Sequence, residues 1–203
     1  TLDVNPGMLK YRGANIQILD VPGLIEGAAD GRGGGQEVLS VVRTADLAVF
    51  MLSVFEIDQY ERLREELYNN NIRLDTEPPS IHIRQRHKNG IQVNKSDSVS
   101  LDENTITEVL RQNGYVNAEI TVRGDPSIDE LVDGMMDNRV YIPSMVTVNK
   151  ADLIDEEYLP TVHENLREHD IDPEECIFIS AEEEKGLDGL TERIWAELGL
   201  VRI

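Results

Sequence analysis

Three short segments of this 203-residue chain hold residue types that could do chemistry, and each follows a strand-like run. Asp20-Val21-Pro22-Gly23 closes the first. An Asp at the carboxyl end of a strand can hold a magnesium ion through water. A Gly three positions on lets a backbone N–H approach a phosphate with no side chain in the way. Asn149-Lys150-Ala151-Asp152 closes the second run and suits the reading of a purine. An ionised Asp152 only accepts, so it can take two donors at once. Guanine offers that pair, a ring N–H and an exocyclic amine; adenine does not. The Lys150 stem can lie along the base, and Asn149 can tie the loop together. Ser180-Ala181 closes the third run, where the Ala181 N–H suits the six-keto oxygen of guanine. Singly, each segment also reads as an ordinary strand exit or a capped helix start. The conjunction points to a guanine nucleotide: three strand ends in this order, with a helix after each loop.

A parallel sheet binds ligands just beyond the carboxyl ends of its strands, and the surrounding pattern supplies such a sheet. Met8 to Tyr11 and Asn15 to Val21 read as strands joined through Arg12-Gly13-Ala14. Gln36 to Ala45 can form a helix. Leu47 to Val54 is a continuous apolar run suited to a parallel strand covered on both faces. Asp58 to Asn69 reads as an amphipathic helix. Ser144 to Val148 and Cys176 to Ile179 read as strands, Asp155 to Glu168 and Leu187 to Leu198 as helices. Strands alternating with helices imply an α/β fold. The middle differs, with Pro78 and Pro79 adjacent and Ile81 to Ile83 expected to pair with Ile91 to Val93 across Lys88-Asn89-Gly90. There Asp102 to Gln112 reads as a helix, Glu119 to Val122 as a strand, and Ser127 with Glu130 as a capping box. The expected organisation is residues 1–55, an inserted α/β subdomain over 56–140, and residues 141–203.

Charge narrows the function classes. The chain has 19 Lys plus Arg against 39 Asp plus Glu, a net charge of −20. That charge repels duplex DNA and anionic membranes at long range. Only five of the cationic residues are Lys, which with the acidic excess suggests adaptation to high salt, where self-repulsion is screened. No stretch reaches the roughly 18 apolar residues of a membrane span. The single cysteine, Cys176, excludes an internal disulfide, and a reducing cytosol is the expected compartment. Arg84, Arg86, His87 and Lys88 stand out in so acidic a chain. They are candidates for contact with ribosomal or messenger RNA, against the plainer reading of a solvated hairpin tip. The four histidines have no metal-ligand spacing, and Cys176 and Trp195 read as core.

The sequence resembles the Obg-related GTPases, and among them the developmentally regulated GTP-binding (DRG) family. The matching residues are TLDVNPG (1–7), IQILDVPGLIEGAADGRGGGQEVLSVVRTAD (16–46), IRLDTEPP (72–79), NRVYIPSMVTVNKAD (138–152) and the closing IWAELGLVRI. The resemblance implies a P-loop NTPase G domain, a parallel sheet with helices on both faces. It implies an inserted subdomain similar to a ribosomal-protein-like α/β fold, and a TGS domain that usually follows the closing LVRI. It implies binding of GTP and slow hydrolysis to GDP with magnesium, as a molecular switch linked to translation. Carried over by motif, Asp20 lies behind the metal and Gly23 senses the γ-phosphate. Asn149, Lys150, Asp152, Ser180 and Ala181 hold the guanine. Thr1 belongs to the first switch and ligates magnesium, and the glycine-rich run from Gly31 to Gly35 belongs to the second. A ribosome or an accessory protein is the implied partner.

Two departures bear on activity. The sequence contains no G-x-x-x-x-G-K-[ST], the loop that cradles phosphates. The expectation is a chain that starts after it and by itself binds GTP weakly. Leu24 stands where Ras-type GTPases carry a water-orienting Gln, so slow hydrolysis is expected, with the water-positioning group unassigned. The rival reading is a non-catalytic protein or RNA interaction module.

Overall fold

The computed structural model describes residues 5–21 and 35–200. Thr1, Gly23, Leu24 and the glycine-rich run from 31 to 34 lie outside the described residues. The chain divides into two compact units, residues 1–76 with 140–203, and residues 77–139.

In the first unit, β1 (Asn5–Tyr11) and β2 (Ala14–Asp20) form an antiparallel hairpin with Tyr11 opposite Ala14. The two-residue turn puts Arg12 at φ 46° and Gly13 at φ 88°, the double positive φ that matches strand twist. α1 (Gly35–Val42) buries Leu39 and Val42. β3 (Ala48–Ser53) follows, then α2 (Gln59–Asn69), whose Tyr60 and Leu67 face the core. β4 (Ile72–Leu74) ends this first passage.

The chain re-enters the unit through β8 (Val140–Ile142), which pairs in parallel with β4. β9 (Ser144–Asn149), α5 (Leu159–Glu168), β10 (Ile177–Phe178) and α6 (Leu187–Glu197) complete it. The central sheet is parallel with order β10-β9-β3. Its core holds Phe50, Leu52, Ile57, Ile72, Ile142, Val148, Val162 and Leu166. These β and helix positions are apolar at the spacing each element requires, which is why the run AVFMLS buries Phe50 and Leu52 together.

Three expectations are corrected here. β3 is an edge strand among the described residues, not one covered on both faces. Its second face leaves Val49 38% and Met51 55% exposed. The division also falls at Glu77 rather than Glu56, because Ile57, Tyr60, Leu67 and Ile72 belong to the first core. The third correction concerns the smaller unit.

That unit contains β5 (Ile81–Gln85), β6 (Ile91–Lys95), α3 (Glu103–Gln112), β7 (Ala118–Val122) and α4 (Ile128–Asp133). β5 and β6 do not pair with each other. β7 lies between them, antiparallel to β5 and parallel to β6. β7 takes the centre because Ala118, Ile120 and Val122 are all fully buried, packed in a core with Ile106, Leu110 and Leu131. Asn117 braces the connection: its side-chain oxygen accepts from Gly90 N at 2.8 Å and its carbonyl from Arg86 N at 3.0 Å. The capping box forms, with Ser127 N donating to Glu130 at 2.7 Å and Glu130 N to Ser127 Oγ at 3.2 Å. No described helix is long and apolar enough to cross a membrane.

Candidate functional site

β9 and β10 are parallel neighbours, with Thr147 opposite Ile177 and Val148 opposite Phe178. Their carboxyl ends therefore finish at the same edge of the sheet, and the loops after Val148 and Phe178 lie side by side. Ala151 N donates to Ile179 O at 3.0 Å, and Ile179 N to Val148 O at 2.8 Å. Asn149 joins the loops through one atom: its Oδ1 accepts from Lys150 N at 2.8 Å and from Ala181 N at 3.0 Å.

Lys150 has φ 65° and ψ 30°, a left-handed conformation that costs an ordinary residue roughly 1–2 kcal/mol. The chain then turns through a short 3-10 segment, Ala151–Leu153, with Leu153 N donating to Lys150 O at 3.1 Å. This turn carries Asp152 outward, where it is exposed. Among the described residues its carboxylate has no hydrogen-bond or ion-pair partner. The Lys185 ammonium is held above its ordinary range first by its hydrogen bond to Glu183, and in smaller part by the Asp152 charge.

The second loop is equally constrained. Ser180 and Lys185 exchange two backbone hydrogen bonds of 3.0 Å. Ser180 is buried and its Oγ accepts from Glu183 N at 3.0 Å, so its side chain closes the turn from behind. Gly186 begins α6 at φ 75°. A Cβ there would sit 2.4 Å from Phe178 O.

Between the loops lies a cavity of about 320 Å³, lined by Asn149, Lys150, Asp152, Leu153, Ala181 and Glu182. That size is at the small end of small-molecule pockets. The structure thus brings together four of the five residues assigned to guanine and sets Ser180 behind them. Two lining residues were not singled out from sequence. Leu153 is 60% exposed beside the motif, and Glu182 directly follows Ala181. The one signal the sequence offers is position: each directly follows a residue already assigned to guanine. The arrangement offers an uncommitted acceptor pair, aliphatic surface for a flat ring, and two tethered loops. The Ala181 N–H is already engaged by Asn149.

Asp20 ends β2, exposed and opposite Asn5, in the two-stranded sheet and not among the lining residues. No group of three metal-ligating side chains occurs among the described residues. One carboxylate is nonetheless what magnesium commonly takes from protein when water and phosphates supply the rest, so the donor chemistry of Asp20 fits.

Cys176, Trp195 and His169 resolve as structural. Cys176 is buried, which pushes its thiol up to about 11, and it donates to Asp172 O at 3.4 Å. A thiol so protonated is a poor nucleophile. Trp195 is buried with its ring 5.7 Å from that of Tyr11. His169 pairs with Glu61 at 2.9 Å. In the smaller unit Arg84, Arg86 and Lys88 are exposed, and Arg86 donates to Glu119.

Two family models match the chain, with a boundary near residue 86 that falls inside the smaller unit. A family model described as "50S ribosome-binding GTPase" matches residues 1–85, and one described as "C-terminal region of MMR_HSR1 domain" matches residues 88–200. An uncharacterized GTP-binding protein of Halobacterium salinarum is 63% identical over 203 residues, all of this chain and 55% of that protein. One from Methanocaldococcus jannaschii is 42% identical over 204 residues, 51% of its length. Developmentally-regulated GTP-binding protein 1 of Xenopus laevis is 39% identical over 205 residues, 54% of its length. The chain spans about half the length of the curated relatives it matches.

Proposed function

Because the chain belongs to the DRG family of Obg-related GTP-binding proteins, we infer that its first unit is the base-reading part of a GTP-hydrolysing switch linked to ribosomes. The observation that carries this reading is the free, exposed Asp152 carboxylate at the rim of a 320 Å³ cavity beside the Ala181 turn. Asp152 accepts the ring N–H and exocyclic amine of guanine, and Lys150 and Leu153 flank the ring. Asn149 holds the two loops at fixed separation, and Ser180 keeps the second loop closed. The Ala181 N–H reaches the keto oxygen only by sharing its hydrogen with Asn149 Oδ1.

The remaining parts of the reading rest on motif and family. Gly23 and Asp20 face the phosphates, and Asp20 with Thr1 are the residues given to a magnesium ion beside them. No phosphate-cradling loop occurs within the 203 residues. The smaller unit is the inserted subdomain, and its Arg84, Arg86 and Lys88 meet ribosomal RNA. An accessory protein and a cytoplasmic setting complete the reading. The missing phosphate loop favours a second reading for this chain taken alone, a module that meets partners without turning over nucleotide.

The test uses nucleosides, since the base contacts lie within the chain. Guanosine should shift the amide resonances of residues 149–153 and 181–182. Asp152→Asn replaces an acceptor by a donor where xanthosine carries a keto oxygen. Hydrogen bonds to charged groups contribute about 1.5–3 kcal/mol, so preference should move from guanosine to xanthosine by at least about tenfold. Unchanged preference would refute the base-reading role.

A further inference from the structure

The sheet of the smaller unit has helices on one face only, and its other face has a composition unlike the rest of the molecule. Alternation sends Ile81, Ile83, Ile91, Val93, Ala118, Ile120 and Val122 inward. The opposite positions are His82 and Arg84 on β5, Glu119 and Thr121 on β7, and Gln92 and Asn94 on β6, in cross-strand register. None is apolar. From Ser80 to Asn94 the sequence holds Arg84, Arg86 and Lys88 and no carboxylate, within a chain of net charge −20.

Glu119 is the one acid on this face, and its charge is spent locally. Arg86 donates to one of its oxygens and Asn94 Nδ2 to the other at 3.1 Å, and its carboxyl is held below the usual range first by the Arg86 hydrogen bond. Arg84 lies directly opposite it in register. The acid therefore organises two donors rather than repelling an anion. Arg84 on this face, and His87 and Lys88 in the loop that follows β5, are exposed.

We propose that this open face binds base-paired RNA through its sugar–phosphate backbone. The inference deepens the RNA contact suggested above and rests on it. The class of RNA follows from what the face lacks. Sheets that read unpaired RNA stack bases on aromatic side chains. This face carries no Phe, Tyr or Trp, and Tyr115 packs into the core instead. What it carries is guanidinium and ammonium groups for phosphate, with the amides of Gln92 and Asn94 and the hydroxyl of Thr121 for 2′-hydroxyls. The remaining negative charge of the chain keeps binding confined to this patch.

The experiment uses the 203-residue chain and fluorescence anisotropy of a labelled RNA duplex. The salt is one at which circular dichroism reports a folded chain. Single-stranded RNA, the same duplex as DNA, and polyglutamate serve as competitors. The duplex RNA should bind, and the three competitors should each displace it at least about tenfold less well than unlabelled duplex. Arg84→Glu with Lys88→Glu should weaken binding at least tenfold. Gln92→Glu, which leaves both cations in place, should weaken it too. The circular dichroism of each variant should match the parent, so that a folding defect is recognised as such. Single-stranded RNA bound as tightly through the same residues would overturn the duplex assignment and leave RNA contact standing. Equal displacement by polyglutamate, or no response to any of the substitutions, would overturn both. The nucleoside measurement is unaffected by either outcome.

Discussion

Gly186 links the stability of the first unit to the shape of its candidate pocket. It sits at φ 75°, and a Cβ built there meets Phe178 O at 2.4 Å and Ile179 Cα at 3.2 Å. Both are backbone atoms of β10 or its exit, so neither can rotate away as a side chain could. Gly186→Ala therefore incurs the left-handed penalty, roughly 1–2 kcal/mol, and an overpacking cost of about 1–3 kcal/mol. The total is about 2–5 kcal/mol. For a chain of this size each kcal/mol moves Tm by about 2–4 °C, so the fall should be between about 4 and 20 °C. Relief comes either by opening the Ser180–Lys185 bridge or by pushing the end of β10 aside. Either movement disturbs the Ala181 N–H held by Asn149, so guanosine affinity should fall as well. The comparator is Gly189→Ala, three residues along α6, where an added Cβ meets nothing within 4 Å. That change should raise stability by about 0.5–1 kcal/mol and leave guanosine binding alone. Thermal unfolding followed by circular dichroism, with nucleoside titration of both variants, reads all four values. A Gly186→Ala chain melting with the parent would show that the backbone there yields freely, and the reasoning would be wrong.

Lys150→Gly removes the Cβ from a left-handed position while raising unfolded-chain entropy. The two nearly offset, so Tm should hold or rise slightly as guanosine affinity falls; a large loss of Tm would mean that the side chain is structural. Asp102 caps α3, and its carboxyl is held below the usual range first by the Thr105 backbone N–H and then by the Thr105 hydroxyl. A lowered native pKa gives stability that is present above the ordinary Asp range near 4 and lost as pH falls through the native value. The Tm gap between parent and Asp102→Ala should therefore be widest at neutral pH and close below roughly pH 4. A gap independent of pH would remove the charged-cap explanation.

The parts of the fold legible in sequence were those with long one-sided patterns. AVFMLS, SMVTVN and the amphipathic helices each bury enough apolar surface to declare their element. β4 and β8 were not legible, because three residues, IRL and VYI, carry no period. Nor was the order β5-β7-β6. Alternation says which face of a strand is buried, but not which strand lies beside it. Only the complete burial of Ala118, Ile120 and Val122 gives the centre to β7. That the loops holding Asn149 to Asp152 and Ser180-Ala181 lie side by side was legible, because a parallel pair must end its strands together. The need for Gly186 was not, since the sequence contains nothing of the approach between α6 and Phe178.

On the proposed reading the geometry also ranks the base contacts, which the motifs alone do not. An N–H already bonded to Asn149 Oδ1 at 3.0 Å gains little by turning to a ligand, since one hydrogen bond is exchanged for another. The Asp152 carboxylate gives up only water. Its ligand hydrogen bonds are charge-assisted, and so about twice the strength of neutral ones. The loops are tied before any ligand arrives, by Asn149 across them and by the Ser180–Lys185 bridge within the second. Guanine binding as proposed would therefore bear little ordering cost, with discrimination against adenine falling chiefly on Asp152. Asn149 then serves by holding the second loop at the distance where that carboxylate can act.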